Sequence, residues 1–214
     1  MKRMANWIPA GDFWLHFNPE KKKAEHIPQE QSCNRICKNT DTLLYLHHLA
    51  CDMKFDKHFP TEQLKPYINY FVVAENELEN EYKVYPSSGL VIGFQYKGQL
   101  TTIKNNVKNK LTAAGITGIS DSYKIFKNSA RIGTILVYFT ETGFIHFAAH
   151  PANELFNLSV SLDDIFDRNN VAEVVEKLAA AITDKQRISI VERFLLAQLK
   201  DVETDKLIVE AVKL

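Results

Sequence analysis

The spacing of apolar residues changes along the chain. From residue 53 to 160 they fall in short β-branched and aromatic runs: Tyr67–Val73, Tyr82–Tyr85, Leu90–Tyr96, Gln99–Ile103, Thr117–Ile119, Tyr123–Phe126 and Ile132–Phe139. Turn residues separate them. Pro86-Ser87-Ser88-Gly89 divides two runs, and Lys97-Gly98 reads as a two-residue hairpin loop between Tyr96 and Gln99. Roughly seven short strands at intervals of about 8–12 residues predict a sandwich or barrel rather than a βαβ sheet.

From residue 161 to 214 the period becomes helical. Asn170 followed by Glu173 predicts a capping box, with Val171, Val174, Val175, Leu178 and Ile182 on one stripe. Thr183 with Gln186 predicts a second box, opening a helix whose inner side carries Ile188, Val191, Phe194, Leu195 and Leu199. Thr204 predicts the cap of a third helix, whose apolar face still runs at Leu214. Residues 1–52 follow neither period. Apart from a short helix predicted over 42–50 behind Thr40 or Asp41, they read as loop, with Pro9, Pro19, Pro28 and the run Glu20-Lys21-Lys22-Lys23.

Composition narrows the class. The 214 residues are 45% hydrophobic and 24% charged, as in a globular protein able to bury a core. No apolar run approaches the ~18 residues of a membrane span, and the basic start lacks the apolar stretch of a secretory signal. Three cysteines make no disulfide framework and suit a reducing cytoplasm. The formal net charge is zero, composed of +1 over residues 1–52, +2 over 53–160 and −3 over 161–214. Gripping phosphates needs a basic excess, so no DNA-binding residue is expected in this chain.

From Phe59-Pro60-Thr61-Glu62-Gln63-Leu64-Lys65-Pro66-Tyr67-Ile68 onward, the chain resembles the N-terminal half of an AraC/XylS-type transcriptional regulator of the group with a cupin-like sensory barrel. Val84–Phe94, Ile132–Gly143, Glu154–Asn157 and Leu162–Phe166 carry the resemblance. Asp184–Ile188 with Val191–Leu196 resembles that family's linker helix. The likeness departs at Glu141-Thr142-Gly143, where related barrels often have a Pro-Gly-Gly-like turn. It implies an α+β fold: a small cupin-like antiparallel β barrel over 53–160, then linker helices over 161–214. It implies that Asp205–Val212 is the first helix of a helix-turn-helix half otherwise missing from this chain. It implies also a start at Met53, which makes residues 1–52 an irregular extension. A small-molecule effector and a homodimer are the expected partners, and DNA only through the missing half.

Candidate chemistry is sparse. Cys33 and Cys37, with His47 or His48 and Cys51, have the residue types and opening spacing of a zinc site, against chance clustering as the blander reading. His146 and His150 sit four apart, the spacing of ligands sharing a helix face or of two partly exposed helix histidines. Gly115-Ile116-Thr117-Gly118 matches a bare GxxG clamp, but two glycines between β segments are far more often turn residues. Asp163 and Asp164 suit a helix N-terminus. Tyr85, Phe94, Tyr96, Tyr123, Phe126, Tyr138 and Phe139 either line a ligand pocket or fill the barrel. No nucleophile–base motif, P-loop or HExxH occurs. The expectation is therefore a regulatory module without enzyme activity, cofactor, metal or catalytic residues. A stand-alone cupin-like binding protein or enzyme is the alternative.

Overall fold

The computed structural model describes residues 7–10, 13–17, 53–86, 89–148 and 151–200. Its twelve strands are β1 (Trp7–Ala10), β2 (Phe13–Phe17), β3 (Met53–His58), β4 (Ile68–Asn76), β5 (Asn80–Val84), β6 (Val91–Lys97), β7 (Leu100–Lys104), β8 (Val107–Lys110), β9 (Ala114–Thr117), β10 (Lys124–Asn128), β11 (Ile132–Phe139) and β12 (Ser159–Ser161). They form two six-stranded sheets, ordered β1-β2-β5-β10-β7-β8 and β12-β9-β6-β11-β4-β3. Every pairing is antiparallel. Two helices follow, α1 (Arg168–Ala180) and α2 (Asp184–Gln198). This is the expected α+β class, antiparallel sheets closing round a barrel interior ahead of C-terminal helices. Among the described residues no helix is long and apolar enough to cross a membrane.

Six of the seven predicted strands sit where the β-branched runs place them, and Ile132–Phe139 keeps both ends. The seventh, expected at Thr117–Ile119, lies instead at Ala114–Thr117, where Ala114 and Ile116 turn toward the core. Lys97-Gly98 makes no hairpin. β6 and β7 belong to different sheets, so the chain crosses between layers there. Gly98 takes a φ of +69°, and a Cβ on it would meet Ser129 Oγ at 2.7 Å. The true two-residue hairpin is Asn105-Asn106, whose φ values of 50° and 61° match the primed turn between twisted strands, here β7 and β8. Residues 7–10 and 13–17, expected as loop, pair with each other and with β5, extending the first sheet. The predicted helices over 42–50 and from Thr204 lie outside the described residues.

Helix α1 begins earlier than Asn170. Asp167 is its cap, and its carboxylate accepts from the backbone N–H of Asn169 and Asn170 at 3.0 and 3.1 Å. The Thr183–Gln186 box that opens α2 is present in both halves. Ile182 leaves the predicted stripe: it follows the end of α1 and is 83% exposed.

The second sheet has two apolar faces, because successive side chains of a strand point to opposite sides. Register shows the sorting. Ile135 lies between Val73 and Phe94, and Val137 between Phe71 and Ile92; all six are buried with α1 and α2 in one core. Val171, Val174 and Leu178 come from α1, and Ile188, Val191, Phe194 and Leu195 from α2. The opposite face carries Tyr70, Val72, Leu136 and Tyr138 and looks into the space between the sheets. The main core therefore lies beneath the helices, outside the barrel.

Polar contacts bind α2 to the sheet. The Asp184 carboxylate pairs with the Lys54 ammonium and, at 3.0 Å, with Arg187 Nη1. Arg187 is buried with its guanidinium 4.2 Å from the Tyr96 ring centre. Burial pushes the Asp184 and Glu75 carboxyls up. The opposing attractions are stronger: Lys54 and Arg187 act on Asp184, and the Tyr96 hydroxyl, Lys54 and Lys97 act on Glu75. Both carboxyls are held below their ordinary values of 3.8 and 4.5. Their contribution is therefore present above those values and is lost as pH falls through the lower folded-state ones. Urea unfolding is expected to show wild type losing stability through this cluster as pH falls below about 4, with the loss reduced in Asp184→Asn.

Candidate ligand-binding cavity

Both sheets contribute to a cavity of about 310 Å³ inside the barrel, within the range of roughly 300–1,000 Å³ typical of small-molecule sites. Small residues on inward-facing positions create it. On β6 the alternation of buried Ile92, Phe94 and Tyr96 with less buried Val91, Gly93 and Gln95 leaves Gly93 facing inward. Gly93 is registered with Gly115 on one side and Leu136 on the other. A Cβ on Gly93 would meet only Leu136 Cδ2, at an ordinary 3.4 Å. Nothing in the packing requires glycine there; its effect is to leave volume empty. Gly118 differs, since a Cβ on it would fall 1.8 Å from the backbone oxygen of Leu155.

The lining is an apolar body with polar ends. Phe55, Val84, Val91, Leu100, Phe126 and Leu136 supply apolar wall. Burial pushes the Tyr82 and Tyr138 hydroxyls far up, so both stay protonated and able to donate at physiological pH. Ala74 and Asn76 of β4 face the cavity, whereas Glu75 between them turns its carboxylate to the helix side, where it accepts from Tyr96 Oη at 2.7 Å and has Lys54 and Lys97 each at 3.7 Å. Across the cavity, Thr117, Ser159 and Lys124 stand together. Lys124 Nζ donates to Leu158 O at 2.8 Å and to Ser159 Oγ at 3.1 Å, and Ser159 Oγ lies 3.3 Å from Thr117 Oγ1. Burial, then the charge of Lys104, pulls the Lys124 ammonium below its ordinary value. Such a site can enclose a small amphipathic molecule and orient it by its polar end.

Residues 56–161 match the family model of a domain of unknown function, DUF6597. No curated protein matches the chain. Among solved structures, the EutQ protein of Clostridium difficile is 16% identical, over 42% of this chain and 69% of its own, with a TM-score of 0.30. The AraC-like transcriptional activator CuxR is 13% identical, over 75% of this chain and 66% of its own, with a TM-score of 0.34. Vicilin from Capsicum annuum is 16% identical, over 74% and 47%, with a TM-score of 0.24.

The aromatic residues of the strands divide between the two faces. Tyr85, Phe126 and Tyr138 line the cavity. Phe94, Tyr96 and Phe139 point to the other side, where the Phe94 ring meets Phe194 edge-on at 6.0 Å. Tyr123 packs on Tyr85 at 6.1 Å. The segment 115–118, expected as a turn, is strand instead: Gly115, Ile116 and Thr117 are strand residues, followed by the close approach of Gly118 to Leu155. His146 is buried in a 3₁₀ turn, its ring 4.6 Å from that of Tyr67, rather than partly exposed on a helix. His150, Cys33, Cys37, His47, His48 and Cys51 lie outside the described residues. Asp163 and Asp164 occupy the first turn of a 3₁₀ helix, where Ser161 Oγ accepts from the Asp163 N–H at 3.4 Å. Sequence reasoning missed Lys124, Tyr82 and Gly93. The available signal was the alternation of β6, which marks Gly93 as sharing a face with Val91 and Gln95.

Proposed function

We propose that this chain is a ligand-sensing module, the regulatory part of an AraC-type transcription regulator, acting by binding rather than by catalysis. The observation that carries the reading is the cavity between the two sheets, whose wall shares strand β4 with the contacts that hold the helices. Ala74 and Asn76 of β4 turn into the cavity, and Glu75 between them turns the other way, where Lys54 and the Tyr96 hydroxyl hold its carboxylate. Lys54 pairs with Asp184 on α2, and Tyr96 lies under the Arg187 guanidinium. A ligand that shifts β4 would move Glu75 with it, disturb the contacts fixing α2, and so alter how the helices present whatever they join. DNA is contacted by segments other than the barrel and its two helices. Two copies of the chain associate in the cytoplasm.

Thermal unfolding in the presence of a small-molecule collection tests the sensing role. A ligand at a hundred times its dissociation constant adds about 2.7 kcal/mol of stability. The expected result is a set of compounds that raise the melting temperature of wild type, less that of Gly93→Ala, and not that of Gly93→Leu, whose side chain fills the cavity. Equal shifts in all three would place binding elsewhere and overturn the reading. A gel-shift titration is expected to give no specific complex between this chain and DNA. A tight, salt-sensitive one would refute the division of labour. Light scattering measures the dimer directly.

A further inference from the structure

We propose that the cavity takes a small organic monoanion, a carboxylate on an apolar body, with the Lys124 ammonium as its anchor. This rests on the reading of the cavity as the ligand site and adds the charge and shape of the ligand.

The charges around the cavity are unequal. Among the described residues its lining includes Lys124 and the exposed Lys110, while Glu75, the one carboxylate residue along it, turns to the helix side and there already meets two lysines and a tyrosine hydroxyl. Lys124 has no such partner: among the described residues its contacts are a backbone carbonyl and a serine hydroxyl, both neutral. An ammonium has three N–H donors, so one remains for a ligand. Lys104 follows Ile103, which is registered with Ile125, so it is the cross-strand neighbour of Lys124 and adds like charge at the same end. A half-buried cation with neutral partners beside a second cation is stabilised by an incoming anion.

The same geometry selects the kind of anion. One free ammonium donor, with the hydroxyls of Ser159 and Thr117 on the same wall, matches the two oxygens of a carboxylate. A phosphate dianion is held by several charged donors, typically an arginine fork or a glycine-rich loop, and this wall has neither. The apolar wall formed by residues such as Phe126, Val91 and Leu136 suits a hydrocarbon or aromatic body.

Two fluorescent probes with a common apolar body separate the anchor from the cavity: 8-anilinonaphthalene-1-sulfonate, an organic monoanion, and N-phenyl-1-naphthylamine, its uncharged counterpart. Each is titrated into wild type, Lys124→Met, Lys124→Arg and Gly93→Leu. The proposal expects Lys124→Met to weaken the anionic probe at least tenfold and the neutral probe less than twofold. Lys124→Arg, which keeps the charge, should retain the anion preference. If Lys124→Met leaves both probes unchanged while Gly93→Leu abolishes both, the anchor is refuted and the cavity reading stands. If neither probe binds wild type, or Gly93→Leu binds both as wild type does, the cavity reading fails and the anchor with it. Circular dichroism of each variant separates lost binding from lost folding; if Lys124→Met does not fold, a Lys124→Arg protein that lacks the anion preference overturns the anchor.

Discussion

Truncating Phe194 to alanine is expected to lower the unfolding free energy by about 3–5 kcal/mol. The ring is 6% exposed and sits where the helices meet the second sheet, edge-on to Phe94 at 6.0 Å and to Phe166 at 5.4 Å. Its removal leaves a void that three elements would have to close together, and close packing of the surroundings resists that. Leu136→Ala is the matched control on the opposite face of the same sheet. Leu136 is half-buried and already borders empty volume, so its loss should fall at the low end for such changes, about 2 kcal/mol. Urea unfolding of the two variants reads the difference. Equal losses would mean that the barrel interior carries as much of the stability as the layer beneath the helices.

Adding one methyl group to two glycines should give opposite signs. Gly118→Ala is expected to destabilise by about 1–3 kcal/mol or more, because the new Cβ would lie 1.8 Å from Leu155 O and 2.6 Å from Leu155 C. Backbone atoms cannot swing aside as a side chain does, and the adjacent Gly118 N–H already donates to Leu158 O at 3.1 Å. Gly93→Ala should stabilise by roughly 0.5–1 kcal/mol, the usual gain from removing glycine's freedom within a strand, since only Leu136 Cδ2 stands near, at 3.4 Å. Melting temperatures measured in parallel distinguish a glycine required by backbone approach from one that merely leaves space.

Elements whose side chains meet a single environment were readable from sequence. Ile132–Phe139 is the central strand of its sheet, apolar on both faces, and no turn residue interrupts it. The Thr183–Gln186 box is a local device, complete within four residues. β8 was missed because Val107-Lys108-Asn109-Lys110 is exposed throughout and lies at a sheet edge, where pairing with β7 rather than burial makes it a strand. The start of α1 was misplaced because Asp167 and Asn170 are both good caps, and only the tertiary path of the chain picks one. His146 carries no local sign of burial; Tyr67, 79 positions earlier, provides it.

By itself the sequence determined the order of short strands followed by helices, the near-neutral charge and the kind of residue on each strand face. Those follow from periodicity and composition, which are local. The tertiary structure decided which face of the second sheet meets helices and which encloses space, because an alternating strand offers two sides without saying what covers either. It also turned Lys97-Gly98 from a hairpin into a crossing between sheets. And it placed Lys124 beside Ser159 in the cavity wall, a relation between distant strands that no spacing along the chain encodes.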